Sequence, residues 1–150
     1  MGDPGVILLV EDNPNDVELT LAALGENQPI PEVFVANDGK EALDYLYRKG
    51  THESRPKANP KVVLLDLKLP KVDGLEVLER IKTDPYMKTT PVVMLTSSRE
   101  ERDLLESYDL GANAYVVKPM SYDGFIEALR EVGLFWGSLN QLPSTTDQDR

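Results

Sequence analysis

The chain lacks cysteine altogether, and its 150 residues include only one histidine and one tryptophan. Without cysteine there can be neither a disulfide nor a thiolate metal site. No apolar run reaches the roughly 18 residues that a membrane-spanning helix needs, and the first residues, MGDPG, lack the basic-then-apolar order of a signal peptide. These absences predict a cytoplasmic protein with no membrane partner.

Basic residues are also scarce. Lys and Arg number 16 against 26 Asp and Glu, which gives a formal net charge of -10. Because nucleic acids are bound by clustered Lys and Arg, this balance argues against a nucleic acid partner. It fits a protein that binds metal cations or positively charged protein surfaces. A chain of this length and an ordinary globular composition suits one core rather than two.

Short apolar runs alternate with helical patterns along the chain. Four continuous runs and one weaker run (32–36) predict strands at 6–10, 32–36, 62–65, 91–95 and 114–117. Apolar residues at helical spacing predict helices over 15–25, 38–49, 74–82, 98–110 and 121–136. Continuous apolar strands are typical of parallel strands that are covered on both faces. The pattern therefore predicts an α/β fold with a five-stranded parallel sheet and helices on both faces. We expect the sheet to be doubly wound with the strand order 2-1-3-4-5, which is one of the common orders of such sheets.

The strand–helix repeats begin near residue 5 and end near residue 136. We therefore expect residues 1–136 to form one domain. Residues 137–150, GSLNQLPSTTDQDR, are mostly polar and are expected to form an arm or a disordered tail.

Acidic side chains follow two strands that would be neighbours where the strand order reverses. Glu11 and Asp12 follow the first strand, and Asp66 follows the third. Two like charges about 4 Å apart repel by about 4 kcal/mol at an effective dielectric of 20, so three acids need a cation or raised pKa values. Oxygen-only ligands favour Mg²⁺ or Mn²⁺ over zinc. The alternative is three unrelated acids that point into solvent.

The ends of the other two strands add a hydroxyl and a cation to the same edge. The fourth strand ends in Thr96-Ser97-Ser98, and the fifth ends in Lys118-Pro119. This set suits a phosphoryl group on a carboxylate, with Asp66 as nucleophile and with Thr96 and Lys118 as donors to the phosphoryl oxygens. Taken singly, Thr96 could cap the next helix and Lys118 could be a solvated charge.

Four sequence elements, LLVEDN, LLDLKLPKVDG, VVMLTSS and YVVKP, end four strands in this order. With them, residues 5–136 resemble the receiver domain of two-component response regulators, which has a flavodoxin/CheY-like fold. The resemblance implies that Asp66 accepts a phosphoryl group from a histidine kinase. It also implies that Glu11, Asp12 and Asp66 hold Mg²⁺ together with the backbone carbonyl of Lys68.

The same resemblance implies roles for three further residues. Thr96 and Lys118 would contact the phosphoryl group. Tyr115 would be the aromatic residue that turns inward when Thr96 moves toward the phosphoryl group.

The expected protein is a single-domain response regulator rather than an enzyme, since it catalyses only its own Mg²⁺-dependent phosphorylation and dephosphorylation. The alternative is a protein-interaction module that keeps the fold without using phosphorylation. The one histidine, His52, lies in a polar loop, so the phosphodonor is expected to be a separate molecule.

The carboxyl-terminal stretch contains more apolar residues than one helix face requires. Leu134, Phe135 and Trp136 either close the bottom of the core or belong to an interface on the fourth helix, fifth strand and fifth helix. In the second case Leu139 and Leu142 would lie in an arm that crosses onto a partner. An FW pair followed by LP, with a long loop at 50–60, resembles the single-domain regulators that pair with bacterial and cyanobacterial phytochromes. That resemblance implies a phytochrome histidine kinase as partner. It also implies a homodimer through the fourth helix, fifth strand, fifth helix and arm.

Overall fold

The structure is a computed structural model that describes residues 5–27, 30–55 and 58–143. In these ranges strands and helices alternate in the order β1 (Val6–Val10), α1 (Pro14–Leu24), β2 (Glu32–Ala36), α2 (Gly39–Tyr47), β3 (Val62–Leu65), α3 (Gly74–Thr83), β4 (Val92–Thr96), α4 (Glu101–Asp109), β5 (Ala114–Val117) and α5 (Tyr122–Leu134). A 3₁₀ turn, Gly50–His52, follows α2, and a π-helical turn, Phe135–Leu139, continues α5.

The five strands form one parallel sheet of order β2-β1-β3-β4-β5, which confirms the predicted topology. Leu9 lies opposite Val35 on one side and opposite Leu64 on the other. The strand order therefore reverses between β1 and β3, which is where open parallel sheets place their functional sites.

Alternate residues of each central strand serve two separate cores. Leu8 and Val10 pack in a cluster that includes residues of α2 and α3. Ile7 and Leu9 pack in a second cluster with residues of α1 and α5. Because helices cover both faces of the sheet, every residue of these strands can be apolar, as the continuous runs predicted.

The largest difference between a predicted and an observed helix boundary is at the start of α4. The fourth helix was expected to begin at residue 98, but α4 begins at Glu101. The Ser98 hydroxyl accepts a hydrogen bond from the Glu100 amide at 3.3 Å and donates one to Asp103. Such local side-chain bonds compete with helix formation, so the chain stays in a loop until Glu101.

The end of α5 turns back toward the sheet. Trp136 packs against the cluster of Ile7, and the Lys61 ammonium donates a hydrogen bond to the Gly137 carbonyl oxygen at 3.1 Å. Half of the predicted arm, residues 144–150, lies outside the described residues. Within the described ranges, no helix combines the length and the hydrophobicity needed to cross a membrane.

Candidate functional site

The three acids that were predicted to converge meet at the carboxyl edge of the sheet. Glu11 and Asp12 follow β1, and Asp66 follows the neighbouring β3. One carboxylate oxygen of each residue lies within 4.8 Å of the others. Glu11 is buried, Asp66 is half-buried and Asp12 is exposed, so the cluster opens to solvent at Asp12.

Lys118 places an ammonium group among these acids. Its Nζ donates hydrogen bonds to Glu11 Oε1 at 2.6 Å and to Asp66 Oδ2 at 3.4 Å. Its backbone N–H donates to the Thr96 carbonyl oxygen at 2.8 Å, which ties the end of β5 to the end of β4. Burial alone would lower the pKa of Lys118, but its carboxylate partners outweigh burial and raise that pKa above its ordinary value. The ammonium therefore stays charged at neutral pH.

A fourth acid, Asp16, joins the cluster and was not predicted from the sequence. Its Oδ2 accepts a hydrogen bond from Lys118 Nζ at 2.8 Å. The Asn13 side chain caps α1 by accepting from the amides of Asn15 and Asp16, and Pro14 occupies the first turn, so Asp16 lies in that turn beside the acid pair. The signal in the sequence was the third acid of EDNPND, one helical turn beyond Asp12.

The donor set of this cluster fits a hard divalent cation. Burial raises the pKa of Glu11 above its ordinary value, even though the hydrogen bond from Lys118 opposes the shift. Four carboxylates (Glu11, Asp12, Asp16 and Asp66) face one ammonium, so the cluster keeps an excess of negative charge that a divalent cation would neutralise. All of the side-chain donors are oxygens, which is the ligand type that Mg²⁺ and Mn²⁺ prefer.

The loop after Asp66 folds tightly against the backbone at the end of β3. The Gly74 N–H donates to the Leu67 carbonyl oxygen at 3.0 Å, and a Cβ at Gly74 would lie 2.1 Å from the Asp66 carbonyl oxygen. Only a residue without a side chain allows this approach. Lys68, whose carbonyl was implied as a metal ligand, lies in this loop with its side chain exposed.

Thr96 and Tyr115 are connected through one residue, Ser98. Thr96 is the buried last residue of β4, and its Oγ1 accepts a hydrogen bond from the Ser98 N–H at 3.2 Å. The Tyr115 hydroxyl donates to the Ser98 carbonyl oxygen at 3.1 Å. Burial raises the pKa of Tyr115, so its phenol remains a donor at neutral pH. The link through Ser98 was not predicted, because the sequence pattern placed Ser98 inside a helix.

The profile of the response regulator receiver domain matches residues 7–130, which is most of the chain. The chain belongs to the response regulator receiver domain family. It is accordingly a phosphorylation-dependent signalling protein of the two-component type.

Several receivers resemble this one over nearly their whole length. Response regulator Rcp1 of Synechocystis sp. is 38% identical over 141 residues, which are 94% of this chain and 95% of Rcp1. The crystal structure of its Mn²⁺-bound form matches with a TM-score of 0.88 and covers 94% of this chain and 100% of that one. The phosphorylated cyanobacterial phytochrome response regulator RcpA is 41% identical, with a TM-score of 0.88 and coverage of 93% and 99%. The bacteriophytochrome response regulator AtBRR is 57% identical, with a TM-score of 0.74 and coverage of 93% and 100%.

The residues predicted for the receiver's interface lie in different surroundings. Phe135 is 48% exposed at the end of α5, whereas Trp136 packs against the second core cluster. Leu142 is half-buried in a small recess with Asn59 and Thr89. Trp136 thus closes the core, whereas Phe135 remains on the surface, and its place in an interface stays a prediction.

His52 packs into an aromatic group at the other end of the sheet. Its ring lies edge-on to those of Phe34 and Tyr45, with centroids 5.0 and 5.4 Å away, beside the first residues of β1 and β2. Asp66 follows the carboxyl end of β3, so this histidine is remote from the acid cluster.

Proposed function

We propose that this receiver accepts a phosphoryl group on Asp66 from a histidine kinase and thereby switches a protein-binding surface. The observation that carries the proposal is the convergence of Glu11, Asp12 and Asp66 around one edge of the sheet, with Lys118 in contact with Asp66. Four charged groups at the ends of three apolar strands favour chemistry over structure, because a structural role would not require acids that repel one another.

The transfer is a displacement at phosphorus. An oxygen of the Asp66 carboxylate attacks the phosphorus of the donor's phosphohistidine, and a P–O bond forms as the P–N bond breaks. The electron pair of that bond remains on the imidazole, which takes up a proton. Positioning and charge stabilisation dominate such reactions, so the protein mainly has to hold Asp66 and neutralise the phosphoryl oxygens.

Glu11, Asp12 and Asp66, with the Lys68 carbonyl, would hold Mg²⁺ or Mn²⁺, and the ion would supply positive charge beside the phosphoryl oxygens. Lys118 contributes an ammonium that already lies 3.4 Å from Asp66 Oδ2. Thr96 contributes a hydroxyl on the strand next to Asp66.

The same residues serve the removal of the phosphoryl group by hydrolysis. Water attacks the phosphorus of the acyl phosphate, the P–O bond to Asp66 breaks, and the carboxylate and inorganic phosphate are released. In this sense the receiver catalyses its own phosphorylation and dephosphorylation.

Phosphorylation acts on the surface through Thr96 and Tyr115. As Thr96 moves toward the phosphoryl group, it vacates space next to the Tyr115 ring, and the surface of α4, β5 and α5 changes with the ring. A preference of a few kcal/mol for one arrangement is sufficient for such a population shift.

The partners proposed for this receiver are a kinase and a second copy of itself. The relatives named for phytochrome responses favour a phytochrome-type histidine kinase as phosphodonor, acting in the cytoplasm. Exposed apolar side chains on α4 and after α5, Leu105, Tyr108, Phe135 and Leu139, favour a homodimer through α4, β5, α5 and the residues beyond 136. The net charge of -10 disfavours nucleic acid.

Incubation with acetyl phosphate, with and without Mg²⁺, tests the proposal by intact mass. We expect the mass of one phosphoryl group to be added only with Mg²⁺, and Asp66→Asn to abolish the gain. Asp73→Asn is a matched control, because Asp73 is an exposed acid in the same loop that makes no capping bond. No gain in the wild type despite Mg²⁺ binding would instead favour a phosphorylation-independent interaction module.

A further inference from the structure

The Lys118 ammonium has three N–H donors, and a different carboxylate accepts each of them. Its Nζ lies 2.6 Å from Glu11 Oε1, 2.8 Å from Asp16 Oδ2 and 3.4 Å from Asp66 Oδ2, and only 8% of its side chain is exposed. The contact with the proposed phosphoacceptor, Asp66, is the longest of the three. The position of the ammonium beside Asp66 therefore depends mainly on its two shorter contacts.

Two of these three acceptors belong to the metal cluster. Glu11 and Asp66 are among the acids whose carboxylate oxygens lie within 4.8 Å of one another, and Asp16 is not. When the cluster holds a divalent cation, Glu11 and Asp66 share their charge between the cation and Lys118, and two positive charges then repel each other. Asp16 keeps its full attraction for the ammonium under these conditions.

Helix α1 gives the Asp16 side chain a rigid support. The Asp16 N–H donates to the Asn13 side chain at 3.2 Å, and the Asp16 carbonyl oxygen accepts from the buried Thr20 hydroxyl at 2.7 Å. The helix also packs against α5, which begins shortly after Lys118. Because groups on regular elements are held more precisely than groups on loops, Asp16 can fix the place of the ammonium.

We propose that Asp16 is a positioning residue that acts through Lys118 and holds the ammonium beside Asp66 while the cluster carries its cation. The proposal rests on the phosphoacceptor function of Asp66 proposed above. It gives a role to an acid that lies outside the three-acid metal cluster. Without Asp16, the ammonium would be less well aligned with the phosphoryl oxygens that it stabilises.

Charge alone and positioning predict opposite results when Asp16 is removed. Asp16→Ala takes a negative charge away from the surroundings of an anionic phosphoryl group, which by Coulomb's law favours the anion. If Asp16 positions Lys118, the same substitution disfavours the anion, because the ammonium is no longer held. The direction of the effect therefore separates the two roles.

The test measures the affinity of the Mg²⁺-saturated full chain for beryllium trifluoride, an anion that mimics the phosphoryl group on a carboxylate. We expect Asp16→Ala to bind it about five-fold more weakly than the wild type, which is the range of one hydrogen bond. Asp16→Asn keeps a neutral acceptor and should have an intermediate affinity. In a Lys118→Met background, Asp16→Ala should cause no further weakening, because the residue through which it acts is gone. Glu18→Gln, an exposed acid on the same helix, is the control and should bind like the wild type.

The ¹⁵N NMR signal of the Lys118 ammonium gives a second readout that does not depend on the anion. With Mg²⁺ bound, we expect the wild type to show a slowly exchanging Nζ signal, identified by its absence in Lys118→Met. Asp16→Ala should lose this signal, whereas Glu18→Gln should keep it. This readout decides the test if Lys118→Met binds beryllium trifluoride too weakly to measure.

Equal or tighter binding of beryllium trifluoride by Asp16→Ala, or a preserved ammonium signal in that variant, overturns the proposal. The same weakening by Asp16→Ala in the Lys118→Met background also overturns it, since Asp16 would then act without Lys118. Should Asp16→Ala fail to fold, Asp16→Asn carries the test. A wild type that binds Mg²⁺ but not beryllium trifluoride would instead refute the phosphoacceptor function, and with it this inference.

Discussion

The Lys118 ammonium lies 2.8 Å from the Asp16 carboxylate, and 102 residues separate the two in the chain. Lys118 also contacts Glu11 and Asp66, but those two residues, unlike Asp16, are among the three acids whose carboxylate oxygens converge within 4.8 Å as metal ligands would. Asp16 is therefore the partner of Lys118 for which a bound cation does not compete.

Asp16→Asn should lower the pKa of Lys118, since it removes a hydrogen-bonded carboxylate. The raised pKa of Lys118 contributes stability at pH values below its unfolded value of 10.5, and this contribution is lost as the pH rises through the folded value. In metal-free buffer at pH 7 we expect the variant to lose about 1 kcal/mol of unfolding free energy, with the loss disappearing in alkali. Urea denaturation across pH and ¹⁵N NMR of the Lys118 Nζ measure both quantities.

Glu18→Gln, on the exposed side of the same helix, is the control for Asp16→Asn. Equal stability of Asp16→Asn and Glu18→Gln, with an unshifted Lys118 pKa, would show that the ion pair is not formed in solution.

Glu11→Gln should stabilise the metal-free protein. Burial raises the pKa of Glu11 above 4.5, so the stability linked to this group is greatest below its unfolded pKa and is lost as the pH rises through the folded one. At pH 7 the neutral isostere should therefore raise the unfolding free energy, on the order of 1 kcal/mol, and the difference should shrink as the pH falls toward 4.5.

Saturating Mg²⁺ should reverse this order, because the wild type then gains binding energy that Glu11→Gln forgoes. Thermal denaturation at several pH values, in EDTA and in Mg²⁺, tests both halves of the prediction. A Glu11→Gln variant that is less stable than wild type in EDTA at neutral pH would contradict the view that the ionised Glu11 carboxylate lowers the stability of the metal-free protein.

Gly74→Ala should disturb the backbone at Asp66 and Leu67, next to the proposed phosphoacceptor side chain. The new Cβ would lie 2.1 Å from the Asp66 carbonyl oxygen and 2.8 Å from Leu67 Cα, and backbone atoms cannot easily move away. We expect a loss of about 1–3 kcal/mol in unfolding free energy and weaker Mg²⁺ binding by calorimetry. In the control Gly137→Ala the nearest atom is a terminal methyl of Ile7 at 3.2 Å, so a much smaller effect is expected. Wild-type Mg²⁺ affinity in Gly74→Ala would show that the loop does not position the ligands.

Phe135→Ser should weaken the proposed homodimer, because it removes an exposed aromatic side chain from the end of α5. Sedimentation equilibrium should give a dimer dissociation constant at least about ten-fold higher than that of the wild type, as expected for an aromatic interface anchor. Ile30→Ser is the control, since Ile30 is 64% exposed just before β2 at the opposite edge of the sheet. A wild type that stays monomeric at all concentrations would refute the dimer.

The strands followed from the sequence because the signal of each was local, whereas their order was expected from known doubly wound sheets. Val62–Leu65 is apolar at every position, and such a run is stable only between two covered faces. The convergence of Glu11 and Asp66 followed in turn, since the carboxyl ends of neighbouring parallel strands meet at one edge.

The contacts that the sequence did not reveal depend on how helices are oriented against the sheet. Asp16 meets Lys118 only because α1 packs against α5, the helix that begins shortly after Lys118. Leu105 and Tyr108 fit a helical apolar pattern, yet α4 exposes both and buries Asp103. Periodicity identifies a helix, but it does not determine which side of α4 faces the core when Ser98 provides a polar partner there.

The central claim is that Asp66 carries the phosphoryl group, and mapping the modified residue tests it most directly. The protein is treated with acetyl phosphate and Mg²⁺, reduced with borohydride, which converts an aspartyl phosphate to homoserine, and then digested and sequenced by mass spectrometry. The account predicts homoserine at position 66 in this sample and none when Mg²⁺ is omitted. Homoserine at Asp12 or Asp16 instead, or a phosphorylated protein with an unmodified Asp66, would contradict it.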